Sequence, residues 1–130
     1  MFKKTLIGTL CLAVVVALGL GGKYLYDTVQ YQRMVAEIEI RTPDLSHLAD
    51  GTYQGELDVG FIAAEVSVVV KDHTIAEITI VKHKNERGGP AEVIIDEVIA
   101  TQSLEIDTIS GATNSSKVIL KAIEIALQGA

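Results

Sequence analysis

The residues with the most chemistry in them lie near the C-terminus, in the run Asp107-Thr108-Ile109-Ser110-Gly111-Ala112-Thr113-Asn114-Ser115-Ser116. Short hydroxyl and small residues lead directly into an amphipathic pattern, so a loop here enters a helix whose first amides have no carbonyl one turn back. Those amides and the positive end of the helix macrodipole attract anions, phosphate among them. Gly111 and Ala112 are small enough to let a bulky partner approach the backbone. The ordinary use of a hydroxyl in front of a helix is an N-cap, and Ser110, Thr113 and Ser115 each have the right type for it. On residue type and spacing alone, both readings stand.

Other chemistries fail on spacing. A phosphate-binding P-loop closes with Gly-Lys-Ser/Thr, whereas Lys117 follows Ser116. A Ser-x-x-Lys nucleophile would need serine at the position held by Asn114. Asn114-Ser115-Ser116 spells a glycosylation acceptor only formally, a triplet common by chance. His47, His73 and His83 are scattered over a linker, a turn and a strand end, with no second ligand at metal spacing, so no metal site is expected. Cys11 is the single cysteine, which excludes an internal disulfide.

The elements that must position this loop can be read from periodicity. Asp50-Gly51 punctuates the start of a domain, and strands are expected over 52–59, 62–70 and 74–83. In the second, Ala64, Val66, Val68 and Val70 alternate with Glu65, Ser67 and Val69. In the third, strict alternation makes the Ile78 and Ile80 side the apolar face and sets Ile75 on the other. Asp72-His73 turns one strand into the next. Pro90, after Arg87-Gly88-Gly89, suits the first turn of a helix running to about 102, with Val93, Ile94, Val98 and Ile99 as its stripe. A last helix from about 114 to 128 places Val118, Ile119, Ala122, Ile123, Ala126 and Leu127 on one face and Lys121 toward solvent. The expected fold class is α+β, a small antiparallel sheet packed with two helices and preceded by one N-terminal transmembrane helix.

That first helix rests on the 18 uncharged residues from Thr5 to Gly22, about 27 Å as a helix, against a hydrocarbon core of roughly 30 Å. Lys3 and Lys4 precede it, which orients the N-terminus inward and the domain out of the cytoplasm. A cleavable signal peptide begins the same way but needs a small-x-small site, and Ala17-Leu18-Gly19 is a poor one. Residues 1–22 read as the anchor or signal-like segment, 23–47 as a juxtamembrane stalk and linker whose helix Pro43 ends, and 48–130 as the folded domain. From Lys23 onward the chain has 9 Lys and Arg against 17 Asp and Glu, since residues 1–22 contribute only the two lysines to the totals of 11 and 17. An acidic domain is the opposite of what nucleic acid requires, so no nucleic-acid partner is expected.

Asp-x-x-Ser-Gly-Ala-Thr, residues 107–113, matches the flavinylation motif of the FMN-binding domain family. The chain from about residue 48 onward, with Asp50-Gly51-Thr52-Tyr53 at its start, resembles a compact version of that family. Its relatives include the covalent-FMN subunits of sodium-translocating NADH:quinone reductases and of Rnf electron-transport complexes. The resemblance implies FMN held covalently, as a phosphodiester to Thr113, attached by a flavin transferase that uses FAD and magnesium. It implies a cofactor site of Thr113, Ala112, Gly111, Ser110 and Asp107, with the loop from His83 to Glu86 near the flavin. Asp107 then positions the loop or helps hold magnesium in the transferase complex, or simply makes an Asx turn. The implied role is a membrane-anchored electron carrier rather than a stand-alone enzyme, with membrane redox proteins or a quinone-linked complex as partners. The alternative is an anchored accessory or structural module of the same fold with no flavin, or with flavin loosely bound.

Overall fold

A computed structural model describes residues 1–84, 92–110 and 112–128. The chain divides into two compact units, Met1–Arg33 and Met34–Ala130. Helix α1, Phe2–Ala36, supplies all of the first unit beyond Met1. Over its apolar stretch its side chains are exposed, Leu6, Leu10, Val15 and Leu18 among them, and it is long and apolar enough to cross a membrane.

The second unit holds a three-stranded antiparallel meander in the order β1-β2-β3, with β1 at Gly51–Asp58, β2 at Ala63–Lys71 and β3 at Thr74–Lys84. Helix α2, Ile94–Thr101, lies against β3, and helix α3, Thr113–Gln128, lies across β1 and β2. This is the expected α+β arrangement of an antiparallel sheet and two helices, preceded in the chain by a long apolar helix.

Alternation in β2 is as its sequence reads, with Ala64, Val66, Val68 and Val70 buried. The hairpin to β3 turns on Asp72 and His73, both at positive φ (52° and 60°), the backbone that a two-residue hairpin turn requires. Strict alternation fails in β3. Val69 pairs with Glu77 while Val70 pairs with Ile75, and Glu65 pairs with Lys82 while Val66 pairs with Ile80, so Ala76 and Val81 are each an extra residue. Each bulge reverses which side chains face inward. Ile75 therefore shares the inner face with Ile78, and His83, opposite Ala64, turns inward as well.

On α3 the whole expected stripe is buried: Val118, Ile119, Ala122, Ile123, Ala126 and Leu127. The helix backbone comes very near the sheet over Gly55 on β1. A Cβ there would stand 2.1 Å from the Ala122 carbonyl oxygen and 2.6 Å from the Ala126 amide nitrogen. Only a residue without a Cβ lets strand and helix backbones come this near.

Helix α2 begins four residues after Pro90, which lies outside the described residues, and Val93 stands exposed ahead of it, not in its stripe. Its end is tied to β3 by Gln102, whose side-chain amide donates to the Ile75 carbonyl at 2.9 Å and accepts from the Ile75 amide at 2.7 Å. That side chain does at the strand edge what a further strand would do.

The helix expected to run on until Pro43 stops at Ala36, because α3 takes the backbone that follows. Glu124 is buried, accepts the Arg41 amide at 3.1 Å and pairs with Lys121, whose ammonium also donates to the Glu39 carbonyl at 2.9 Å. Lys121, expected toward solvent, is instead a clip between helix and linker, its side chain 27% exposed. Further on, the Ser46 hydroxyl and amide both donate to Asp44 and hold its carboxyl below the usual range.

Two stability effects are expected. Gly55→Ala sets a methyl against helix backbone that cannot swing aside. Overpacking typically costs about 1–3 kcal/mol, and this site belongs at the upper end or beyond. The melting temperature should fall by roughly 12 °C or more, whereas Gly51→Ala, with nothing within 4 Å of the added carbon, should melt close to wild type. Breaking one side of a buried ion pair costs roughly 3–5 kcal/mol. Glu124 keeps the Arg41 amide and Lys121 is partly exposed, so Lys121→Met should lose about half of that in chemical denaturation.

Candidate functional site

The site grows from the way α3 starts. Once Ile119, Ile123 and the contact at Gly55 seat the helix on the sheet, its first residue, Thr113, is carried to an exposed position at one end. The chain arrives there from Leu104, fully buried, whose amide donates to the Thr42 hydroxyl at 3.0 Å. Asp107 is exposed on the approach, and Ser110 is exposed within the turn that follows.

That turn is held closely. The Ala112 amide donates to the Ile109 carbonyl at 2.9 Å, and the Ser116 amide makes the first helical bond to the Ala112 carbonyl, also at 2.9 Å. The Ser116 hydroxyl donates to the same carbonyl at 2.8 Å and accepts the Ile109 amide at 3.1 Å. Ala112 is itself buried, which seats the turn against the core. The amides of Thr113, Asn114 and Ser115 precede the first helical bond, so they sit at the positive end of the macrodipole.

Beside this helix start lies His83, aimed inward by the second bulge of β3. Its Nε2 is 3.4 Å from the Ser115 hydroxyl and its Nδ1 is 3.9 Å from a Glu92 carboxylate oxygen, with the imidazole only 4% exposed. Strand β3, the start of α3 and the residue two before α2 thus meet around one ring.

Of the residues expected at the site, the fold gathers Thr113, Ala112, Ser110 and His83 around the start of α3 and leaves Asp107 on the approach. Gly111 and Glu86 lie outside the described residues. Two residues were missed as site builders: Ser116, and Ser115 as the partner of His83. A hydroxyl at 116, four residues after 112, was the available signal, since serine in a first helical turn can bond back to the carbonyl four residues before. Among the described residues, no group of three or more His, Cys, Asp or Glu converges as a metal site would require.

The model of the FMN-binding domain family matches residues 60–128, just over half of the chain. The match takes in β2, β3, both helices of the domain and the turn before Thr113. The chain belongs to the FMN-binding domain family. No curated protein matches the sequence.

This FMN-binding domain is accordingly a flavin-binding protein with FMN as its cofactor. Its residues suit that ligand's phosphate. The first turn of α3 carries no carboxylate to compete with an anion. Thr113 is exposed, and among the described residues nothing holds its hydroxyl. A phosphate at this helix start would meet amides and a favourable dipole.

Proposed function

We propose that this protein is a membrane-anchored electron carrier outside the cytoplasm, with FMN esterified through its phosphate to Thr113. The observation that carries the reading is the position of Thr113: the last residue of the 107–113 motif is the exposed first residue of α3. A free threonine hydroxyl is a weak nucleophile near neutral pH, so attachment needs an external flavin transferase, itself dependent on magnesium, to activate it or its target. In the transfer, the Thr113 oxygen bonds to the phosphorus of the FMN half of FAD as the pyrophosphate P–O bond breaks. AMP leaves, and the hydroxyl proton passes to the transferase or to water. Asp107, exposed ahead of the turn, offers carboxylate oxygens of the type a hard cation such as that magnesium favours.

Bound FMN supplies one- and two-electron chemistry, while the protein holds, orients and tunes it. Thr113 is then an attachment point and no proton donor is required of it. His83, Ser110 and Ala112 line the same end of the domain. The strongly acidic balance beyond Lys23 favours membrane redox partners, or a quinone-linked complex, that present a basic surface. Helix α1 fits the anchoring role, since its exposed apolar side chains need lipid around them, and Lys3 and Lys4 suit the cytoplasmic side.

Coexpressed with a flavin transferase, the full chain should gain one FMN in mass and keep its yellow colour after acid precipitation, and Thr113→Ala should lose both. An unmodified, colourless wild type under those conditions would instead support an accessory module of the same fold. For topology, protease added to intact spheroplasts should digest the domain. Protection that persists until the membrane is lysed would reverse the proposed orientation.

A further inference from the structure

We infer that the Ser116 hydroxyl is the positioning group that presents Thr113 for flavin attachment. The inference rests on the reading of Thr113 as the attachment residue and deepens it. Ser116 is fully buried, so its role is to position and not to react. A serine in a first helical turn ordinarily bonds back to one carbonyl. Here the single oxygen does two things: it donates to the Ala112 carbonyl at 2.8 Å and accepts the Ile109 amide at 3.1 Å. The second bond is not helical. It reaches the residue at which the turn begins and ties it to the helix that the turn feeds.

The consequence falls on Thr113 because of where it sits. The peptide that joins Ala112 to Thr113 carries the carbonyl that Ser116 grips twice, by its amide at 2.9 Å and by its hydroxyl. The plane of that peptide sets the direction of the Thr113 side chain. The opposite end of the turn is closed by the Ala112 amide on the Ile109 carbonyl. Ile109, Ala112 and the start of α3 are thereby one rigid piece, with Thr113 as its exposed corner. Displacement at phosphorus needs the attacking oxygen aligned with the departing one, and misplacement by about 1 Å can cost on the order of 100-fold in rate. Removing the hydroxyl leaves the Ile109 amide without its acceptor and frees the turn to shift. Side-chain burial elsewhere in α3 is unchanged.

The test uses the full chain in detergent, the transferase, FAD and magnesium, and reads initial loading rate by intact mass beside hydrogen exchange of the Ile109 amide before loading. Ser116→Ala is compared with Ser116→Thr, which keeps the hydroxyl, with Ser116→Cys, which keeps the shape, and with Val70→Ala, a sheet change far from the turn. The expected result is loading slowed by roughly 10- to 100-fold in Ser116→Ala, faster exchange at Ile109, and recovery of both in Ser116→Thr or, partially, in Ser116→Cys. Val70→Ala should melt lower yet load at the wild-type rate. Wild-type loading in Ser116→Ala overturns the inference, and so does an equal slowing in Val70→Ala, which would mark a loss of stability only. A wild type that takes no flavin at all overturns the attachment reading first, and this inference with it.

Discussion

Everything at the functional end of the domain depends on how closely α3 can approach β1. Two backbones meet where Gly55 faces Ala122 and Ala126, and a methyl group at position 55 would overlap the helix. Close approach lets Ile119 and Ile123 reach full burial, and it sets where a 16-residue helix begins. Because the helix is rigid, a contact near its C-terminal half decides the location of Thr113 at its N-terminus. The exposed start of α3 is in this way held by ordinary side-chain packing more than two turns away.

The same helix carries the buried polar groups. Among the described residues, Ser115, Ser116 and Glu124 are the polar or charged ones that are buried, and all three are on α3. Each has a task matched to its position. Ser116 holds the incoming turn, Ser115 meets His83 from β3, and Glu124 takes the Arg41 amide and Lys121 at the far end. Burying such groups is costly unless they are hydrogen-bonded, so each fixes a neighbouring segment in return for its own satisfaction. The apolar face joins α3 to the sheet, and the polar groups join the loops and linker to α3.

The segment that opens the second unit is fixed by packing too. Val35, in the last turn of α1, is buried, and residues 39–42 are bound to α3 and to the segment at Leu104. Residues 34–47 belong to the same compact unit as the sheet. On α3 itself, Thr113 is exposed at the first residue while the apolar face is covered by the sheet.

The class of the fold, the hydrophobic first helix, the alternation of β2, the stripe of α3 and the 107–113 motif were all legible in the sequence, because each is a local pattern set by helical or strand period, or by residue spacing. What tertiary structure decided were departures from period and pairings across the chain. The bulges at Ala76 and Val81 turn Ile75 and His83 inward, and no local pattern marks them, because a bulge is set by the strand opposite. Lys121 looked like a solvent residue since its period places it at the edge of the stripe, and only the arrival of Glu39 and Arg41 makes it a clip. Ser116 belonged visibly to a helix start. That its oxygen would also take the Ile109 amide depended on a turn whose closure requires the helix to be already in place. Sequence determines such a site to the extent that its parts are neighbours in the chain, and packing decides the rest because hydrogen bonds between distant residues exist only after the core has brought them together.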